Sequence, residues 1–298
     1  MSRVLFVLTP QVHLLDLAGP AQVFSTAPGY QLLYYAEASP VPTWQGVPLV
    51  ASTTWPELDP GDLVVVPGWR SGYGYFTAGT LDRIAAHHRR GGTVASVCAG
   101  ADALGRAGLL DGRRCTTHHG LQDLLARTHP AATVVRDVLY VSDDRVVTSA
   151  GIASGIDLAL HLVAQRHGPA EAALVAREMV VYARRNGDDH QDSAMLRHRA
   201  HLNDVVHRVQ DRIDADFTAT LPLSALAAGA GVSERTLTRL FTTATGRTPL
   251  RYQQLLRVER AEHLLSHGAT TETAARAVGF TDARMLRRLR SRPTPAGQ

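Results

Sequence analysis

Lysine is missing from this 298-residue chain, and all 31 of its basic side chains are arginine. Without an ε-amine there is no Schiff-base catalysis and no P-loop lysine for a nucleotide phosphate. Cysteine is scarce as well. Cys98 and Cys115 are too few for a disulfide framework, and they do not form a CxxC pair. No apolar run approaches the ~20 residues of a membrane-crossing helix. The strand-like stretch from Val4 to Leu8, close behind Met1, is too short for a secretory signal. A soluble, cytoplasmic protein without a membrane partner is expected.

What the chain does contain falls into two parts. Its length suits two domains, each able to bury a core, and a hydrophobic content of 45% excludes wholesale disorder. Residues 1–202 carry 17 arginines against 18 acidic residues, whereas residues 203–298 carry 14 against nine. Only the C-terminal part is basic, which points to a polyanionic partner for that part alone.

The first two-thirds alternates short apolar runs with amphipathic stretches. Strands are expected at Val4 to Leu8, Tyr30 to Ala38, Asp62 to Val66 and Thr93 to Val97. Helices are expected from about Asp16 to Ala27, Leu81 to Arg90, from near Ala99, Gly155 to Arg166 and Pro169 to Arg184, with a hairpin from Thr133 to Thr148 around Ser142-Asp143-Asp144. This alternation predicts an α/β sandwich around a mostly parallel sheet. The pattern dissolves into Gly, Asp, His and Gln after Asn186. The expected boundaries are therefore an α/β domain over 1–186, a linker over 187–201 and an all-α domain over 202–298.

The all-α part contains one plan twice. Leu226 to Ser233 and Thr273 to Phe280 are each a small-residue helix followed by a glycine turn, and each leads into an arginine-bearing amphipathic helix. In the first copy Leu237, Leu240 and Phe241 recur at helical spacing and should face inward, leaving Arg235, Thr238, Arg239 and Thr242 outward. In the second, Met285, Leu286 and Leu289 should face inward and Arg284, Arg287, Arg288 and Ser291 outward. A lone basic face is usually just solvated. Two such faces behind two glycine turns fit helix-turn-helix units entering the major groove of double-stranded DNA. A longer helix from Leu250 to His267, bounded by Pro249 and Gly268, joins them.

These residues resemble the AraC/XylS family of transcription regulators over about Leu202 to Arg292. The likeness rests on Gly231-Val232-Ser233, Arg235-Thr236-Leu237, Thr248-Pro249, Tyr252, Arg257, Ala261, Leu264-Leu265 and Val278-Gly279-Phe280 with Asp282. The resemblance implies that one helix from each unit docks in successive major-groove segments, with Arg235, Thr238, Arg239, Arg284, Arg287 and Arg288 as DNA contacts. The chain departs from the family at Leu286 and Arg290, where aromatics are usual, and after Ser291, where the closing segment is missing. Looser packing of the second unit is expected.

In the α/β part, Cys98 has the position of a nucleophile. It follows a buried strand and precedes a helix opening Ala99-Gly100-Ala101, and a helix start lowers a thiol pKa. Pro67-Gly68 suggests oxyanion N–H groups, His118 a base and Asp16 an acid. The plainer alternatives are a buried apolar cysteine and a structural histidine. Tyr73 and Tyr75 among glycines form either a pocket lid or a plain loop. His118 beside His119 has no further ligand spacing, and neither a metal nor a cofactor is expected.

Asp16 to Pro20, Cys98 to Ala101, Ala107 to Arg114, Thr117-His118 and Thr148 to Gly151 with Gly155-Ile156-Asp157 resemble the ThiJ/PfpI, glutamine amidotransferase-like superfamily, and more narrowly the sensor half of GlxA-type regulators. The resemblance implies a flavodoxin-like effector domain that dimerises and precedes an AraC-type reader. Asp16, Gly68, Trp69, Cys98, Ala99 and His118 would frame a pocket for a small-molecule effector. No His follows Cys98 as in the peptidase-like members, Trp69 replaces a common Gly, and only Arg185-Asn186-Gly187 echoes a longer family stretch. A non-enzymatic, homodimeric transcription regulator is the expected function. The alternative is a hydrolase or hydratase acting through Cys98, since the Asp16 and Cys98 pair resembles that of isonitrile hydratases.

Overall fold

The computed structural model describes residues 1–70, 76–181, 186–188, 191, 198–199, 201–266 and 268–291. The Gly72-to-Tyr75 loop, Arg185 and the C-terminal stretch from residue 292 lie outside the described residues. The chain divides into two units, Met1–Gln191 and Asp192–Gln298.

In the first unit the order is β1 (Ser2–Leu8), α1 (Leu14–Thr26), β2 (Tyr30–Ala36), β3 (Val41–Pro42), β4 (Pro48–Leu49), β5 (Leu63–Val66), α2 (Ala78–Arg89), β6 (Thr93–Val97) and α3 (Gly100–Arg106). It continues with β7 (Arg114–Cys115), α4 (Gln122–Thr128), β8 (Thr133–Val134), β9 (Tyr140–Asp143), β10 (Val146–Ser149), α5 (Ser154–His167) and α6 (Pro169–Glu178). Six strands form the main sheet in the order β2-β1-β5-β6-β10-β9, parallel throughout except for β9.

Apolar runs form these strands because both sheet faces are covered. From β1, Val4, Phe6 and Leu8 enter a core with Phe24 of α1, Leu158 of α5 and Val175 of α6. Leu5 and Val7 enter a second core with Ile84 of α2, Leu104 of α3 and Leu125 of α4. The sheet is the sandwich that the apolar alternation predicts. Strand order reverses at β1, with β2 on one side and β5 on the other. Crevices beyond the carboxyl ends of strands at such a reversal are where open α/β sheets hold ligands.

Two elements differ from the sequence reading. Between Thr133 and Thr148 the hairpin turns around Asp143-Asp144 as expected, but its first strand begins only at Tyr140. β8 pairs in parallel with β7 in a separate ribbon, and only β9 and β10 form the hairpin. Arg114 and Cys115 supply a partner for β8 that no local pattern announced. Helix α6 ends at Glu178, short of Arg184, because Val180 takes a left-handed conformation (φ 55°) that stops the helix.

The second unit contains α7 (Asp204–Asp216), α8 (Leu223–Gly229), α9 (Glu234–Thr245), α10 (Pro249–Ser266), α11 (Thr271–Ala277) and α12 (Ala283–Arg290). Side-chain caps start five of them: Asn203 for α7, Ser233 for α9, Thr248 for α10, Thr270 for α11 and Asp282 for α12. Gly231 and Gly279 turn the chain at φ 71° and 86°, which a side chain would resist. Helix α10 serves two cores. Tyr252 and Leu256 pack with Val206, Ile213, Leu237 and Phe241, while Ala261 packs with Ala274, Val278, Phe280 and Leu286. In the second core Leu286 is fully buried and Phe280 supplies a ring.

Candidate functional site

The α/β site is built around an elbow. Cys98 follows β6 with φ 56°, a conformation that a non-glycine residue adopts only when its surroundings enforce it. Its N–H donates to Ser149 O at 3.0 Å, and its carbonyl accepts the Thr117 hydroxyl at 2.7 Å. Glycines make room around it. A Cβ on Gly68 would stand 2.7 Å from Cys98 Cβ and overlap the Asp16 carboxylate, and one on Gly151 would stand 2.9 Å from Cys98 Sγ.

Asp16 lies beneath the thiol with no exposed surface. Its Oδ1 accepts the Ile152 N–H at 2.7 Å. Ile152 is itself left-handed at φ 50°, a strained state for a β-branched residue. Burial pushes the Asp16 pKa up, opposed by the Ile152 N–H, the nearby His13, the Cys98 thiol and the Gly68 N–H. Burial, and then the Asp16 charge, push Cys98 up to about 12. The expectation that the helix start lowers this pKa is corrected. The Ala99 N–H does act downward, but burial beside a carboxylate outweighs it. At neutral pH Cys98 is a thiol.

Above it opens a cavity of about 240 Å³. Trp69, Cys98, Ala99 and His118 line it, whereas Asp16 and Gly68 form the layer beneath and do not. His118 shares the cavity with Cys98, yet among the described residues no hydrogen bond joins them. Its Nδ1 accepts the Gly120 N–H at 3.2 Å, and its ring lies 4.1 Å from that of His119. The two histidines begin a short turn. Burial, His119 and His13 push the His118 pKa down. Among the described residues no three His, Cys, Asp or Glu side chains gather as a metal site. Sequence reasoning missed His13, Thr117, Leu121, Leu125 and Ile152 as lining residues. The turn that places Ile152 there has no local signature, while His13 stands three residues before Asp16 and was within reach.

In the helical unit Leu237 and Phe241 are buried, and Arg235, Arg239 and Thr242 are exposed with Thr238 half-buried, all on α9. Arg284, Arg287 and Arg288 are exposed on α12, but their surroundings differ. Arg284 pairs with Asp282 at 2.8 Å, Arg287 with Glu272 at 3.0 Å and Arg290 with Glu262 at 3.5 Å. Among the described residues Arg235 and Arg239 have no acidic partner. No described helix is long and apolar enough to cross a membrane.

An α/β unit with a ligand-sized cavity, followed by paired helix-turn-helix units, defines a DNA-binding transcription regulator with a sensing domain. The chain belongs to the DJ-1/PfpI family, which matches residues 2–165, and a helix-turn-helix domain matches residues 226–292. It is 38% identical to an isonitrile hydratase of Pseudomonas putida over 58% of this chain and 76% of that protein. It is 30% identical to the HTH-type transcriptional regulator CdhR of Pseudomonas aeruginosa over 77% of this chain and 68% of that protein. A crystal structure of an AraC family transcriptional regulator from Pseudomonas putida shares the fold of 60% of this chain and all of its own length, at a TM-score of 0.54 and 24% identity.

Proposed function

We propose that the Cys98 cavity binds a small metabolite and that this binding changes how the two reading helices meet operator DNA. The protein acts as a cytoplasmic homodimer, which places paired readers on paired half-sites. The observation that carries this reading is the state of Cys98. A thiol pushed up to about 12 at the floor of a largely apolar cavity is poorly suited to attack, but it suits the wall of a binding pocket. Arg235, Thr238 and Arg239 contact DNA from the first unit, and Arg284, Arg287 and Arg288 from the second. The test is selection of bound fragments from a genomic library by the purified protein, with and without candidate metabolites. Recovery of the same random fragments in every condition would remove the proposal.

A second reading has its own support. The Asp16 and Cys98 contact, together with the likeness to an isonitrile hydratase, favours hydration or hydrolysis at the thiol. Turnover of an isonitrile that disappears in Cys98→Ala would establish it. A Cys98→Ala protein that keeps its metabolite-dependent DNA response would argue for the sensor.

A further inference from the structure

We infer that Arg257 fixes the spacing of the two DNA-reading helices, and so sets which separation of operator segments the protein accepts. The inference rests on the DNA reading above. Arg257 stands on α10, the helix shared by both helix-turn-helix units. Its Nε donates to Phe217 O at 2.6 Å, and its Nη2 donates to Thr218 O at 3.1 Å and Ala219 O at 2.8 Å. Its Nη1 donates to Gly279 O at 2.9 Å. The first three carbonyls follow the last turn of α7, and the fourth follows α11.

Helix C-terminal carbonyls lack intrahelical partners and carry the negative end of the helix dipole. One planar guanidinium therefore ties the loop after a helix of the first core to the turn after a helix of the second. No carboxylate is needed, and burial is the one cause acting on the Arg257 pKa, pushing it down. The guanidinium carbon also lies 5.5 Å from the ring of Phe280. One turn earlier on α10, the Gln253 amide donates to Phe217 O at 2.9 Å and Ala219 O at 2.8 Å, holding the same loop. The units touch here as well. A Cβ on Gly279 would overlap Thr218 O, so the turn before α12 rests directly on the loop after α7.

Packed cores resist continuous deformation, and a fork of fixed geometry between them holds α9 and α12 as one body. A lysine keeps the charge but cannot span four carbonyls in one plane. The probe is the full chain with a duplex carrying its selected operator, and a set of duplexes with one base pair inserted or deleted between the two protected segments. Each such change rotates the outer segment by about 35° about the helix axis. The wild type is expected to lose roughly tenfold in affinity for each respaced duplex, as contacts at one segment are misplaced. Arg257→Lys and, independently, Gly279→Ala are expected to bind the original and respaced duplexes within about threefold of one another, with random-duplex binding unchanged.

Either variant keeping the wild-type spacing profile overturns the inference. So does a folded variant, judged by circular dichroism, that loses operator and random duplex alike, because Arg257 would then act on affinity and not on spacing. A wild type with no operator preference would instead defeat the DNA reading itself.

Discussion

The Asp16 carboxyl and the Cys98 thiol share one buried recess, and the charge of the first helps keep the second protonated. Asp16→Asn removes that charge while its side-chain oxygen can still accept the Ile152 N–H. The Cys98 pKa is then expected to fall from about 12, although burial will still hold it above an ordinary thiol. Labelling rate against pH with a small alkylating reagent reads this directly. An unchanged profile would mean that burial alone sets the thiol. The stability effect has a definite sign. Asp16 has a folded pKa above its unfolded value, so its contribution is favourable below the unfolded pKa and is lost as pH rises through the folded one. Asp16→Asn should therefore be more stable than wild type at pH 7, by on the order of 1 kcal/mol, with the advantage shrinking in acid. Chemical denaturation at several pH values tests it.

The glycines around the elbow give a second expectation. Gly151 has φ 107°, and a Cβ on it would overlap Cys98. Gly151→Ala combines a disfavoured backbone with overpacking and should cost roughly 2–4 kcal/mol. Gly108→Ala is the matched control. It shares the positive φ, at 71°, but a Cβ there meets nothing within 4 Å. Its loss should be near 1 kcal/mol, the backbone component alone. Equal losses in thermal unfolding would show that crowding at Cys98 is unimportant.

These two cases also mark how far the sequence could be read. The sheet was legible because runs such as Val4 to Leu8 and Thr93 to Val97 require cover on both faces. The reading helices were legible because the spacing of Leu237 and Phe241 separates inside from outside. Cys98 was found by its position between strand and helix. Its chemistry was not, because the Asp16 carboxylate that opposes the helix start comes from 82 positions away in the chain. The same holds for Ile152 and for the β7–β8 ribbon. Such contacts are made by the tertiary fold and leave no periodic trace.

Tyr252 carries a buried polar load in the reader. It is fully buried, and its hydroxyl donates to Asp214 Oδ1 at 2.7 Å, while Arg199 holds Oδ2 of the same carboxylate at 2.6 Å. Burial and then Asp214 push the tyrosine pKa up. Tyr252→Phe leaves Oδ1 without this donor and should destabilise the helical unit by about 1–2 kcal/mol. The ring contact with Phe241, at 5.6 Å between centroids, should survive, so the unit still folds. A double-mutant cycle with Asp214→Asn measures the pair. Strict additivity would show that the hydroxyl and the carboxylate are not coupled.

The two reading helices should contribute unequally to DNA binding. Arg235 and Arg239 on α9 are free of acids among the described residues, while Arg284 and Arg287 on α12 lie against Asp282 and Glu272. Each of these pairs is exposed and weak on its own. Yet when an arginine swings to a phosphate its acid stays behind, facing the same polyanion. Arg239→Ala is expected to cost about 1–3 kcal/mol in operator affinity if it reads a base edge, with a smaller loss on random duplex. Arg287→Ala should weaken operator and random duplex alike, by less. Glu272→Gln should strengthen both by roughly two- to fivefold at low salt, with the gain fading as salt rises. Affinities across a salt series decide it, since an equal loss of operator preference in Arg239→Ala and Arg287→Ala would make the two helices equivalent readers.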